Sequence, residues 1–144
     1  MKAVSVNVDI ASRKQYLRIS ASDIDKLRSL WVPFEARIDS ILTLFYQHLA
    51  TVPDLAPFFK GLTLEHIKQA QRVHWKHAFT SGFDTSYQDG VTRIGSAHAR
   101  IGLEPRWFLG AYALVLTELH RFVESQHPWS ATERTKAMSA IVKT

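Results

Sequence analysis

The sequence predicts an all-α domain. Apolar residues recur every three or four positions along most of the chain, which is the period of an amphipathic helix. Asp89-Gly90 precedes a helix-period pattern, so no Asn-Gly or Asp-Gly pair divides two alternating runs as in a β-hairpin. The 144 residues amount to about one domain, and 46% apolar residues suffice for a core at that length.

Composition excludes several classes of function. The chain has no cysteine, which rules out disulfides, thiolate metal sites and cysteine nucleophiles. The net charge of +5 comes from Lys and Arg that are scattered along the chain, so the sequence shows no basic cluster that would indicate a nucleic-acid partner. No apolar run approaches the ~20 residues of a membrane span, and no continuous apolar segment follows Lys2 as in a secretory signal. We therefore expect a soluble cytoplasmic domain with no membrane partner.

Residues 1–19 are predicted to form an N-terminal arm or an extra helix ahead of the main domain, residues 20–144. Val4, Val6, Val8 and Ile10 alternate with polar residues at strand period. One short strand without a partner is marginal, however, so a flexible arm or a helix from about Ala11 is at least as well supported.

The first main-domain helix is predicted to begin at Ser20 or Ser22, which suit the N-cap position. Pro33 is predicted to interrupt it, and a second helix is predicted to begin at about Phe34. The apolar stripe of this second helix, with its flanking positions, consists of Phe34, Ile38, Ile41, Leu42, Phe45, Tyr46 and Leu49. Tyr46 places a polar hydroxyl on this apolar surface, and spacing alone favours a tyrosine that reaches the core boundary.

A short aromatic corner over residues 54–61 is expected next, closed by Gly61. Thr63 can cap a helix that runs to about Thr80. Gln71 and His74 lie on the face of this helix that should be buried. Such residues are usually hydrogen-bonded within a core and less often contact a ligand.

Two further helices follow the central stretch. Pro105 suits the first turn of one, and Ser130 with Glu133 forms a capping box for the other. The apolar pattern still runs at Thr144, so we expect this last helix to be truncated and to continue in a longer protein. Six or more helices of unequal length favour a globin-like packing over an even four-helix bundle.

The central stretch is residues 91–103. Val91, Ile94, His98 and Ile101 share one helix face, so a histidine lies within an apolar stripe. Gly95 and Gly102 flank it, and glycine costs a helix up to ~1 kcal/mol, which suggests close approach of something bulky. The alternative is a core histidine whose nitrogens bond to backbone carbonyls, and spacing alone favours it.

No enzyme active site is visible. The chain lacks HExxH, GxGxxG, P-loop and GxSxG motifs, and His74 with His77 has no co-ligands nearby in sequence. A haem site needs little more than His98, because one imidazole can hold the iron within an apolar helical pocket. Polar residues on buried faces, namely Tyr46, Gln71 and His74, are candidates to tune a gas ligand on the other side.

The segment from Ile94 through His98-Ala99-Arg100-Ile101-Gly102-Leu103-Glu104-Pro105 is the most distinctive, and Trp107 and Ala111-Tyr112 follow it. Weaker segments precede it: Phe45-Tyr46, Phe58-Phe59, Ile67-Lys68, Gln71, His74-Trp75, Gly82-Phe83-Asp84 and Tyr87. In this order and spacing, from about Ile24 onward, the chain resembles the globin domain of globin-coupled sensors, bacterial haem proteins that sense oxygen and related gases.

The resemblance implies roles for individual residues. His98 matches the proximal ligand of the haem iron, and Tyr46 matches the distal tyrosine that hydrogen-bonds bound oxygen. Ile67 and Gln71 are both candidates for the second distal residue. Residues implied to contact the haem otherwise are Phe45, Phe58, Trp75, Ile94, Ile101, Leu103, Trp107 and Phe108.

The resemblance also implies haem b (iron protoporphyrin IX) as cofactor and oxygen as ligand, with CO, NO or cyanide as further iron ligands. Family members usually dimerise through their last two helices and carry an output module, such as a cyclase, kinase or chemoreceptor domain, which is not present here. We therefore expect a homodimeric, non-enzymatic sensor domain that signals through its last helices.

Three alternatives remain. The chain could be a stand-alone haem globin that binds oxygen or reacts with NO or peroxide. It could be an interaction module of the same fold without haem, with His98 packed in the core. A basic helical DNA binder would need a recognition helix with clustered Arg and Lys, which the sequence lacks.

Overall fold

The structure is a computed structural model that describes residues 9–126 and 128–144. Over these residues the chain forms six α-helices and one short 3-10 helix. They are α1 (Ile10–Tyr16), α2 (Ala21–Ala50), the 3-10 helix (Ala56–Phe59), α3 (Leu64–Thr80), α4 (Thr85–Arg100), α5 (Pro105–Glu124) and α6 (Ala131–Val142). No described residue is in a strand, so the all-α prediction is confirmed. The alternating residues Val4, Val6 and Val8 lie outside the described range, which begins beside α1.

The predicted break at Pro33 is wrong, because α2 is one helix of 30 residues with Pro33 inside it. Proline in a helix interior removes one hydrogen bond and costs ~3 kcal/mol or more. Burial on both sides of the proline offsets this cost. Trp31 and Phe34 are buried next to it, and the same buried face continues beyond Ile38.

The core is built around α2, which packs against α3, α5 and α6. Phe34 lies at its centre, stacked on Phe79 of α3 with ring centroids 5.1 Å apart. Its centroid is also 5.3 Å from that of Phe122 of α5 and 6.0 Å from that of Trp31. Aromatic side chains bury large areas, so this cluster holds three helices together.

The helix ends follow the sequence signals closely. Ser130 and Glu133 form the predicted capping box, and Thr63 caps α3 by accepting a hydrogen bond from the His66 amide. Gly102, with φ +75°, ends α4. The amides of Gly102 and Leu103 donate to the carbonyls of Ala99 and His98, which is a Schellman turn. Gly102 is therefore explained by helix termination and not by close approach of another group.

The end of α6 is tied to three other parts of the fold. The Lys143 ammonium donates to the Arg18 carbonyl at 3.0 Å and pairs with Asp23 at 2.9 Å. The Tyr87 hydroxyl of α4 donates to the Thr144 carbonyl at 2.9 Å. These bonds bring the ends of the described chain together. None of the helices within residues 9–126 and 128–144 has the length and apolarity to cross a membrane.

Candidate functional site

His98 occupies the last turn of α4, a helix that packs loosely. Tyr87 is the only fully buried residue of α4, and the helix packs mainly against α3. Val91, Ile94 and His98 are half-buried, and Ile101 is 54% exposed. The apolar stripe that the sequence predicts is thus present but only partly covered by protein.

The His98 imidazole carries the one buried side-chain nitrogen or oxygen that lacks a hydrogen-bond partner in the described part of the chain, its Nδ1. Buried polar atoms are nearly always bonded, so an exception needs an explanation. Burial lowers the pKa of His98 below its usual value of 6.5. The ring is therefore neutral near pH 7, which is the form that binds metals.

A row of ring contacts leads from His98 across α5 to α3. The centroids of His98 and Phe108 are 5.2 Å apart, and those of Phe108 and Tyr112 are 6.4 Å apart. Tyr112 stacks on the buried Trp75 at 6.2 Å. Phe108 remains 42% exposed although it lies in the middle of this row. The proximal candidates therefore form one aromatic surface with an open side.

Tyr46 and Gln71 come together on α2 and α3. The Tyr46 ring is 8% exposed and lies 4.9 Å from Phe45 and 6.0 Å from Phe59, measured between centroids. Burial raises the pKa of Tyr46 to about 12, and a polar contact with the Gln71 side chain partly opposes this rise. The hydroxyl therefore stays protonated and can donate a hydrogen bond.

The remaining polar candidate, His74, is half-buried on α3 with its ring 5.6 Å from that of Trp75. Burial lowers its pKa, and the charge of nearby His77 lowers it further. The other candidate contact residues are half-buried, namely Phe45, Phe58, Ile67, Leu103 and Trp107. Among the described residues no hydrogen bond or ring contact joins His98 to Tyr46, so the two candidate halves remain separate.

The donor set fits a haem better than a bare metal ion. The described residues contain no group of three His, Asp or Glu side chains that could hold a metal ion. A haem iron needs only one protein imidazole, and its porphyrin needs apolar and aromatic surface. A Cβ added at Gly95 would meet no atom within 4 Å, so α4 has open space one turn before His98. The half-buried His98 imidazole and the partly covered stripe are consistent with such a group.

Sequence reasoning missed one residue near this site. Lys68 is 7% exposed and lies beside Gln71 on α3, yet the pattern gave no sign that a lysine would be buried. Its burial depends on Asp39 of α2, which lies 2.8 Å from its ammonium. Only the crossing of α2 and α3 brings these two residues together, and sequence spacing does not give that crossing.

Comparisons with known proteins agree on one family. The protoglobin family model matches residues 7–144. The heme-based aerotactic transducer HemAT of Halobacterium salinarum is 31% identical over 113 residues, which cover 77% of this chain. The globin domain of a Geobacter sulfurreducens globin-coupled sensor superposes with a TM-score of 0.85 at 26% identity, over 92% of this chain and 88% of that domain.

The two relatives differ in extent. The match spans 23% of the length of the aerotactic transducer, whereas it spans nearly all of the Geobacter globin domain. The likeness therefore concerns one domain of the larger protein.

Proposed function

This chain belongs to the protoglobin family, and on that premise we propose that it is a haem-binding sensor domain for oxygen. The observation that carries the proposal is the half-buried imidazole of His98 on a helix whose apolar face is incompletely covered. The names of the relatives support it, since one is a heme-based aerotactic transducer and the other a globin-coupled sensor.

On this proposal His98 of α4 would hold the iron of haem b. Its low pKa keeps the imidazole neutral, so no proton competes with the metal. Ile94, Ile101, Leu103 and Phe108 supply apolar surface beside it, together with Trp107. When bound, the haem supplies a ferrous iron that takes up a diatomic gas such as oxygen, CO or NO.

Tyr46 and Gln71 act on the distal side. The Tyr46 hydroxyl remains protonated because its pKa is about 12, so it offers a hydrogen-bond donor to a polar gas ligand. A charge-assisted hydrogen bond contributes ~1.5–3 kcal/mol. Gln71 holds the tyrosine by its polar contact, and Ile67 with Phe45, Phe58 and Trp75 excludes water from the surrounding surface.

The domain signals by a difference in its contacts between the gas-bound and gas-free states. His98 contacts Phe108 of α5, and α5 packs against α6, so movement of α4 is transmitted to the last two helices. We propose that these helices form a homodimer in the cytoplasm and pass the change to an output module, and that the domain itself is not catalytic.

Absorption spectroscopy tests the proposal directly. We expect the purified protein, with hemin added if necessary, to show a Soret band that shifts on dithionite reduction and again with oxygen or CO. His98→Ala should abolish or alter the band, and His120→Ala, which changes an exposed histidine of α5 outside the candidate site, should not. A protein that stays colourless after hemin addition would contradict the proposal and favour the interaction module without haem.

A further inference from the structure

Lys68 is the only buried charged residue in the part of the chain that the structure describes, with 7% of its surface exposed. Lysine is almost never buried unless its ammonium is paired. Its Nζ lies 2.8 Å from Asp39 Oδ1 of α2 and 3.7 Å from Glu65 Oε2 of α3. The Asp39 contact spans two helices, so burial of the ammonium depends on how α2 and α3 are placed.

Arg72 completes a four-residue ion cluster, defined as Asp39, Glu65, Lys68 and Arg72. Its guanidinium pairs with both Asp39 and Glu65. The hydrogen bond from Lys68 holds the pKa of Asp39 below its usual value despite partial desolvation, and the charges of Lys68 and Arg72 act in the same direction. The carboxylate therefore stays ionised at neutral pH and keeps both partners.

The ion cluster lies on the same two helices as the Tyr46–Gln71 contact, one to two helical turns away. Asp39 precedes Tyr46 by seven residues, which is two turns along one face of α2. Lys68 precedes Gln71 by three residues, or about one turn of α3. The Asp39–Lys68 pair and the Tyr46–Gln71 contact therefore both depend on how α2 and α3 are placed relative to each other.

We propose that Lys68 and Asp39 are positioning residues for the Tyr46 hydroxyl, and that they set how long the domain retains its gas ligand. The inference rests on the proposed function, because it assigns a ligand to that hydroxyl. Hydrogen bonds weaken steeply with distance and angle, so a small sliding of α3 against α2 weakens donation from Tyr46. The buried Lys68 ammonium opposes such sliding, because a shifted position of α3 on α2 would leave it buried without its Asp39 partner.

Lys68→Met is the informative variant, since it replaces the buried ammonium with an apolar side chain of similar length. Asp39 stays exposed and paired with Arg72, so the variant leaves no buried charge alone. Lys143→Met is the matched control, because Lys143 forms a similar pair with Asp23 at 2.9 Å, between α6 and the start of α2.

The first measurement is the oxygen dissociation rate of the haem-loaded protein, with the stretching frequency of bound CO as a probe of distal polarity. Lys68→Met should raise the oxygen dissociation rate by about three- to tenfold, which corresponds to the loss of part of one hydrogen bond. It should also shift the stretching frequency of bound CO. Lys143→Met should change neither. In a Tyr46→Phe background Lys68→Met should have no effect. An unchanged rate, or the same fold-change in both backgrounds, would overturn the inference.

The second measurement uses the haem-free protein, in which the Tyr46–Gln71 contact already exists. With tyrosine ring carbons labelled, NMR titration should show the pKa of Tyr46 rising further in Lys68→Met but not in Lys143→Met, because the Gln71 contact that lowers this pKa is weakened. A Tyr46 titration identical to wild type would overturn the positioning role even if the protein bound no haem. Absence of haem binding with a shifted titration would instead contradict the proposed function alone. Asp39→Asn serves as the second variant should Lys68→Met not fold.

Discussion

The α2–α3 pair and helix α4 complete their buried faces in different ways. The α2–α3 pair buries Trp31, Phe34 and Phe79, and its buried lysine is paired with a carboxylate. Helix α4 buries only Tyr87 fully, exposes Ile101 and leaves a nitrogen of His98 without a partner. The contrast shows that the core side of α2–α3 is covered by protein, whereas the face of α4 has the composition of a core but not its coverage. A haem against α4 would supply that coverage.

The largest expected effect is on the free energy of unfolding, when one isoleucine in each of the two regions is replaced by alanine. Ile38→Ala should lower the free energy of unfolding of the haem-free protein by about 2–5 kcal/mol, because Ile38 is buried in the core. Ile101→Ala should stay within about 0.5 kcal/mol, because its side chain is largely exposed. Urea denaturation of both variants measures this. Equal losses would show that α4 is as well packed as α2.

Haem addition should stabilise α4 more than α2. A ligand at 100 times its Kd stabilises the native state by about 2.7 kcal/mol. We expect hydrogen exchange to slow most at the amides of α4, whose face the haem would cover, and little in the middle of α2. Exchange that slows equally along both helices would remove the distinction between them. His98→Ala, treated with hemin in the same way, is the control.

Two glycine substitutions should change stability in opposite directions. Gly95→Ala should stabilise the haem-free protein by up to about 1 kcal/mol, because it lies inside a helix and its new Cβ meets no atom. Gly102→Ala should destabilise it by about 1–2 kcal/mol, because its φ of +75° strains an L-residue. Thermal unfolding of the two variants tests this. A loss of stability in Gly95→Ala would mean that α4 is already closely covered there.

The smallest expected effect is the share of the pH dependence of stability that His74 of α3 contributes, alongside His98 of α4. Burial lowers the pKa of His74 below 6.5, so the unfolded chain binds a proton more readily than the native state does. The free energy of unfolding should therefore fall as the pH decreases below about 6.5, the pKa of histidine in the unfolded chain. His74→Gln should make this decline shallower. Identical slopes for variant and wild type in urea titrations would contradict the assignment.

Local signals in the sequence predicted most of the fold. The capping box at Ser130, the cap at Thr63 and the helix start at Pro105 depend on a few neighbouring residues, and the structure has all three. Pro33 failed as a signal because the burial of Trp31 and Phe34 on either side outweighs one lost hydrogen bond. Local propensity gives way wherever tertiary packing offers more free energy.

The candidate site was only partly predictable for the same reason. Tyr46, Gln71 and His98 could each be identified as polar residues on apolar faces, and their haem-binding roles stay predictions. The contact between Tyr46 and Gln71, and the pairing of Lys68 with Asp39, depend on how two helices cross. No spacing within one helix encodes that crossing.

The packing of α6 against α2 has a consequence for how the chain is assembled. Asp23 and Lys143 are 120 residues apart in sequence. Ala137, Ala140 and Ile141 are fully buried in the shared core. During synthesis the helices that carry Tyr46, Gln71 and His98 therefore leave the ribosome before α6 is available to close that core. Such long-range contacts slow folding. A cofactor that reaches the nascent chain would therefore encounter its binding helices before α6 has packed against α2.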